Sequence, residues 1–176
     1  MDRCRIPVIS FVAAKSGSGK TTLLEQVIKR LKAEGLRIAC IKHDGHGFAM
    51  DKEGKDTWRF SQAGADIVAI SSPRKVAVIE QTAKEKTLDE ICAMIADVDL
   101  ILTEGFKLDD KPKIEVHRSS IHDRLICKPN ELLAIASDTQ WDIGVPCFHI
   151  NDIEGIAEQV KWYMENYAVS YQIGSL

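Results

Sequence analysis

No apolar run in this chain approaches the ~18 residues that a membrane-spanning helix needs, so no spanning segment is expected. There is no excess of basic charge either. The formal net charge is -3 and lysine and arginine are dispersed, which argues against a general nucleic-acid binder. Cysteine is sparse and unpatterned: positions 4, 40, 92, 127 and 147, an odd number with no C-x-x-C pair. That excludes a disulfide framework and a cysteine zinc site, and it fits a reducing cytoplasm. Cys40, Cys92 and Cys147 lie in apolar segments and are expected to be buried thiols. The N-terminal residues run directly into an apolar strand pattern, so no signal peptide is expected. Internal repeats, low-complexity stretches and a composition shift that would mark a domain boundary are all missing. A length of 176 residues, 45% of them hydrophobic, suits one globular domain with a core of its own. We place it at residues 1–168, with a disordered tail over 169–176.

What is present begins with Ala14-Lys15-Ser16-Gly17-Ser18-Gly19-Lys20-Thr21-Thr22. An apolar run, residues 6–13, precedes it and an amphipathic stretch follows it. Strand, glycine-bearing loop and helix in that order define a phosphate-binding P-loop. Gly17 and Gly19 let backbone N–H groups turn toward a polyphosphate with no Cβ in the way. The helix start adds its positive dipole end. The expected nucleotide contacts are Ser16, Gly17, Ser18, Gly19, Lys20, Thr21 and Thr22. Lys20 can reach the β- and γ-phosphates, and the Thr21 hydroxyl can meet a magnesium ion. Ala14 stands where the motif usually has its first glycine. Lys15-x-Gly17-x-Gly19-Lys20-Thr21 resembles the deviant loop of dimeric nucleotidases, in which the earlier lysine reaches the partner's site. Ser16 stands where that group has glycine.

Strand and helix patterns alternate along the chain. The expected fold is α/β, a P-loop NTPase-type three-layer sandwich with a mostly parallel sheet. Strands are expected at 6–13, 36–41, 98–103, 113–116, 132–136 and 146–150, and helices at 19–34, 57–63, 88–95 and 153–167. Two further strands, 66–71 and 75–80, are joined by a link too short for a parallel crossover, so they form an antiparallel hairpin.

Asp99-Leu100-Ile101-Leu102-Thr103-Glu104-Gly105 is a buried strand that ends on an acid. Carboxyl ends of parallel strands are where such sheets bind ligands. Glu104 is therefore the candidate catalytic acid, acting on magnesium or on the attacking water, with Asp99 structural at the other end. Residues 42–57 form a long polar loop, and loops of that length are usually functional or mobile. The second strand often adjoins the first, which would bring this loop to the phosphates. His43, Asp44 and His46 suggest a metal by composition, but magnesium prefers hard oxygen ligands, which favours Asp51 and Asp56. Lys42, Lys52, Lys55 and Arg59 could instead hold a second phosphorylated ligand, and Lys107 and Lys113 add positive charge near the Glu104 strand. The Asn-Lys-x-Asp guanine signature is absent. Asp138 ends the apolar run Ala134-Ile135-Ala136-Ser137 and can either accept guanine N1–H and N2–H or begin a turn with Thr139.

The P-loop, Ile41-Lys42-His43, Gly54-Lys55-Asp56, Ala63-Gly64-Ala65 and Leu100-Ile101-Leu102-Thr103-Glu104-Gly105-Phe106-Lys107, in that order, resemble protein B of molybdopterin-guanine dinucleotide biosynthesis over about residues 6–150. The resemblance implies a P-loop fold, binding of GTP with Mg2+, slow hydrolysis and a homodimer. Its implied role is to assist attachment of GMP to molybdopterin beside a separate molybdopterin-guanine dinucleotide nucleotidyltransferase. Two other readings use the same loop: a small-molecule kinase whose 42–57 loop holds an acceptor, and a nucleotide-binding module without useful turnover.

Overall fold

The computed structural model describes residues 6–173. In chain order the elements are β1 (Val8–Val12), α1 (Lys20–Ala33), β2 (Ile38–Lys42), α2 (Asp56–Gln62), β3 (Ile67–Ser72), β4 (Lys75–Glu80), α3 (Leu88–Cys92), β5 (Leu100–Glu104), β6 (Lys113–His117), β7 (Leu132–Ser137), β8 (Cys147–His149) and α4 (Ile153–Ile173). The elements expected from the sequence are all there, with boundaries moved by a few residues. The closing helix runs on to Ile173, past the expected end at residue 167, so residues 169–173 are helical where a disordered tail is expected. Of the expected tail, residues 174–176 lie outside the described residues.

The chain forms two compact units: residues 44–87, and everything on either side of them. In the larger unit six strands form one sheet in the order β2-β5-β1-β6-β7-β8, and every neighbouring pair is parallel. A parallel sheet needs cover on both faces, and its central strands read as continuous apolar runs. β1 and the first four residues of β5 are buried throughout. On one face Ile9, Phe11, Leu100, Leu102, Ile114 and Val116 meet Leu23, Leu24, Val27 and Leu31 of α1 and Ile156, Ala157 and Val160 of α4. On the other, Val8 and Ile101 meet Leu88 and Cys92 of α3. These are the three layers expected for the fold. Two expectations fail here. β2 adjoins β5 rather than β1, because β5 is the strand inserted beside the P-loop strand. Of the three cysteines expected to be buried, only Cys92 is; Cys40 is exposed and Cys147 half-buried, since β2 and β8 are the edge strands.

The smaller unit holds α2 and the antiparallel hairpin β3–β4, closed by Pro73-Arg74 between the paired Ser72 and Lys75. Cross-strand partners share a face. Val68 and Ile79 pair on one side, where Val68 is buried; Ile67, Ala69, Val76 and Val78 share the other and are exposed.

The ends of β1, β2 and β5 are tied through the turn after Glu104. His43 N donates to Glu104 O at 2.9 Å and Gly105 N to Phe11 O at 3.0 Å. Gly105 has φ +103, and a Cβ there would sit 3.0 Å from the His43 Cβ. Both the left-handed backbone and the close approach demand glycine. Gly105→Ala should therefore destabilise the fold by about 1–3 kcal/mol, read as a lower thermal midpoint by circular dichroism. An unchanged midpoint would show that the turn relaxes freely.

Candidate functional site

Residues 14–19 leave β1 and enter α1 with two left-handed turns, Gly17 at φ 79 and Gly19 at φ 89. Gly19 is the N-cap of α1, and the first turn carries no acidic residue. The positive end of the helix is thus left for an external anion. The loop is braced from within: Ser18 Oγ donates to Lys15 O at 2.9 Å, and Lys20 Nζ reaches the same carbonyl at 3.3 Å. Lys107 Nζ donates to Ala14 O at 3.0 Å. Ser16 and the Lys15 side chain face solvent, while Ser18 is buried. Thr22, the third residue of α1, is exposed as well.

The acid expected at the end of the β5 strand is at hand. Pairing of β1 with β5 brings Phe11 level with Glu104, and Thr21 Oγ1 donates to Glu104 Oε2 at 2.8 Å. A buried hydrogen bond from Thr103 Oγ1 to Ser10 Oγ, also 2.8 Å, holds the two strands together beneath them. A hydroxyl and a carboxylate side by side are hard oxygen donors of the kind that magnesium takes, usually with waters and phosphate completing the shell. The donor set fits that ion. Among the described residues no cluster of three or more His, Cys, Asp or Glu could enclose a metal by itself.

The field at the loop is positive. Burial pushes the Lys20 ammonium below its ordinary value; Glu104 opposes this and Lys107 and Lys42 reinforce it. Lys42, level with Glu104 in the β2–β5 ladder, and Lys107 therefore act on the same spot. Lys113 does not join them. It is buried at the start of β6, where its ammonium donates to Asp109 O at 2.6 Å and Glu131 Oε1 at 3.3 Å. Lys113 therefore does not belong to the cationic patch expected from the sequence: β6 lies inside the sheet between β1 and β7 and is buried along its whole length, and burial requires the pairing it finds.

Asp138 stands at the end of β7, and Ser119 holds both its oxygens. The Ser119 N–H donates to Oδ1 at 2.8 Å and its hydroxyl to Oδ2 at 3.2 Å. The Ser119 N–H is the main cause that keeps this carboxyl below its usual range. Asp51 and Asp56 belong to the smaller unit. Asp51 Oδ1 accepts from Lys52 N at 2.8 Å and Thr57 Oγ1 at 2.9 Å, while its Oδ2 is buried without a partner. Asp56 faces Arg59 at 3.9 Å. Lys52 and Lys55 are exposed there. Asp99 accepts from Arg37 N at 2.7 Å, a strand-end brace as expected.

Sequence reasoning missed Arg118 and Ser119. They follow β6, the strand on the other side of β1, and Arg118 Nε donates to Ser18 O at 3.3 Å. The signal lay in Lys113, Glu115 and His117, which alternate polar along an otherwise apolar strand. All three are buried and bonded, so the turn they lead into is fixed.

The family model for molybdopterin guanine dinucleotide synthesis protein B matches residues 8–138. A molybdopterin-guanine dinucleotide biosynthesis adapter protein of Escherichia coli is 39% identical over 91% of this chain and 94% of its own. One of Haemophilus influenzae is 35% identical over 93% and 92%. Among solved structures, a molybdopterin-guanine biosynthesis protein B superposes with a TM-score of 0.68 at 30% identity, covering 89% of this chain and 99% of that one. The Bacillus subtilis MobB superposes with a TM-score of 0.69 at 26% identity, covering 88% and 98%. Loop, acid, sheet order and relatives agree, and the chain belongs to the molybdopterin guanine dinucleotide synthesis protein B family.

Proposed function

We propose that this chain is a GTP-binding adapter with weak GTPase activity, which assists attachment of GMP to molybdopterin beside a nucleotidyltransferase in the cytoplasm. The observation that carries the nucleotide part is the Thr21–Glu104 contact at the mouth of an uncapped, cationic P-loop. The adapter part rests on the relatives, which are named adapters of molybdopterin-guanine dinucleotide biosynthesis.

In this reading Lys20 neutralises charge on the β- and γ-phosphates, while backbone N–H groups of residues 16–21 bind their oxygens. Thr21 and Glu104 would hold Mg2+, which supplies charge neutralisation on the phosphates when bound. Glu104, through its one carboxylate, orients that shell and can accept from a water near it. Lys107 keeps the start of the loop in place through Ala14 O. Each Asp138 oxygen takes one bond from Ser119 and keeps a further acceptor site, so Asp138 could accept from a guanine edge without giving up either bond. Within the smaller unit taken by itself, Asp51 and Asp56, as magnesium ligands, and Lys55, as a contact to a pterin phosphate, stay part of the proposal. The buried, unpaired Oδ2 of Asp51 favours Asp51 among them. A homodimer is supported by the exposed apolar face of the hairpin, Ile67, Ala69, Val76 and Val78, since such patches mark interfaces.

Lys20→Ala removes a charge aimed at the phosphates, and charge-assisted bonds are the strong ones. GTP affinity by calorimetry should fall at least tenfold, about 1.4 kcal/mol; an unchanged affinity sinks the P-loop assignment.

Glu104→Gln keeps the shape of the side chain and removes its charge. The loss should fall on hydrolysis more than on binding, so single-turnover hydrolysis slows while GTP affinity changes little. Undiminished turnover would remove Glu104 from the chemistry.

A further inference from the structure

Arg118 leaves β6 at its carboxyl end and turns its side chain back to the phosphate loop. Nε donates to Ser18 O, a long bond at 3.3 Å. A Cβ on Gly19 would lie 3.4 Å from both Nε and Nη2, so the guanidinium rests against the backbone at the head of α1. The side chain is half-buried. A guanidinium has five N–H donors and no acceptor, and one peptide carbonyl uses only one of them. Among the described residues no carboxylate forms an ion pair with it. A cation held beside the positive end of a helix repels that end until an anion is placed between them.

The position is not that of a loose surface arginine. Ile121 N and His122 N both donate to Arg118 O, at 2.9 and 3.1 Å. The next residue, Ser119, is bound twice to Asp138. Preceding it, the His117 Nε2 donates to His122 O at 2.9 Å, and Nδ1 meets Ser137 Oγ at 3.1 Å. Farther along, buried Glu115 accepts from Ile126 N and Cys127 N at 2.8 and 2.9 Å. The whole turn after β6 is fastened to the sheet, and it aims one cation at Ser18–Gly19.

Topology says which end of a polyphosphate that cation meets. β1 lies between β5 and β6. The pair suited to magnesium, Thr21 with Glu104, stands toward β5. Magnesium held by Thr21 and Glu104 would neutralise the terminal phosphates, so the γ end would lie toward β5 and the nucleoside end toward β6. We infer that Arg118 binds the α-phosphate of the nucleotide and clamps it against the Ser18–Gly19 backbone. This rests on the nucleotide-binding reading of the P-loop.

The test is calorimetric titration of GTP and of GDP, both with magnesium, into the intact chain and its Arg118→Ala, Arg118→Lys and Lys20→Ala variants. Thermal midpoints of the nucleotide-free proteins are measured alongside. Arg118→Ala should weaken both nucleotides by a similar factor, about tenfold, with an unchanged midpoint. Arg118→Lys should recover part of the loss, because the charge is kept and the planar fork is not. A loss for GTP with GDP unaffected would move Arg118 to the γ end and overturn the inference. So would full affinity in both Arg118 variants while Lys20→Ala fails to bind. A lowered midpoint in Arg118→Ala with no recovery of affinity in Arg118→Lys would make Arg118 a structural prop, and the inference falls. If Lys20→Ala also binds as the parent does, it is the nucleotide reading itself that fails.

Discussion

The parallel pairing of β1 with β5 on one side and β6 on the other is the constraint on which the site depends. β1 delivers the phosphate loop, and its neighbours deliver the side chains that face it. The Thr103–Ser10 hydrogen bond fixes the β1–β5 register where no water can compete. A slip by one residue would turn every strand side chain to the opposite face. Glu104 would then leave Thr21, and Phe11 would leave the core. The apolar faces of α1, α4 and α3 stabilise the register from both sides. The geometry of the site is therefore a by-product of core packing rather than of the loop alone.

The charges around the loop follow from the same arrangement. Lys20 comes from the loop, Lys42 from the end of β2, Lys107 from the turn after β5 and Arg118 from the turn after β6. One carboxylate, Glu104, stands among them. Like charges gathered this closely oppose folding slightly, and burial adds to the cost for Lys20. An anionic ligand reverses both effects. On the proposed reading the site would suit a polyphosphate, with hard oxygens on one side of β1 and a planar donor on the other.

Much of this was legible in the sequence because it is local. Glycine spacing before an amphipathic helix marks a P-loop without knowledge of the sheet. An apolar run ending in Glu104-Gly105 marks a strand that presents an acid. The short Ser72-Pro73-Arg74 link marks a hairpin. What stayed hidden depends on strand order and on facing. Nothing local says that β5 separates β1 from β2, so the sequence alone misplaces the neighbour of β2. Cys40 and Cys147 look like core residues from their segments but fall on edge strands. Lys113 looks like a surface cation until the strand order places β6 between β1 and β7, where both its faces are covered. Arg118 carries no motif, and its meaning comes from the loop across the sheet. Residues 44–87 form a unit of their own, although no shift in composition marks its limits.

On the proposed function, the loop of residues 14–22 would hold a nucleotide polyphosphate with Thr21 and Glu104 around one magnesium ion. A crystal structure of the chain with a non-hydrolysable GTP analogue and Mg2+ tests it most directly. The phosphates are expected along the N–H groups of residues 16–21 and the metal within ligand distance, about 2.0–2.1 Å, of the Thr21 hydroxyl, with the Glu104 carboxylate in its shell. An analogue bound elsewhere, or a metal that touches neither residue, would contradict it.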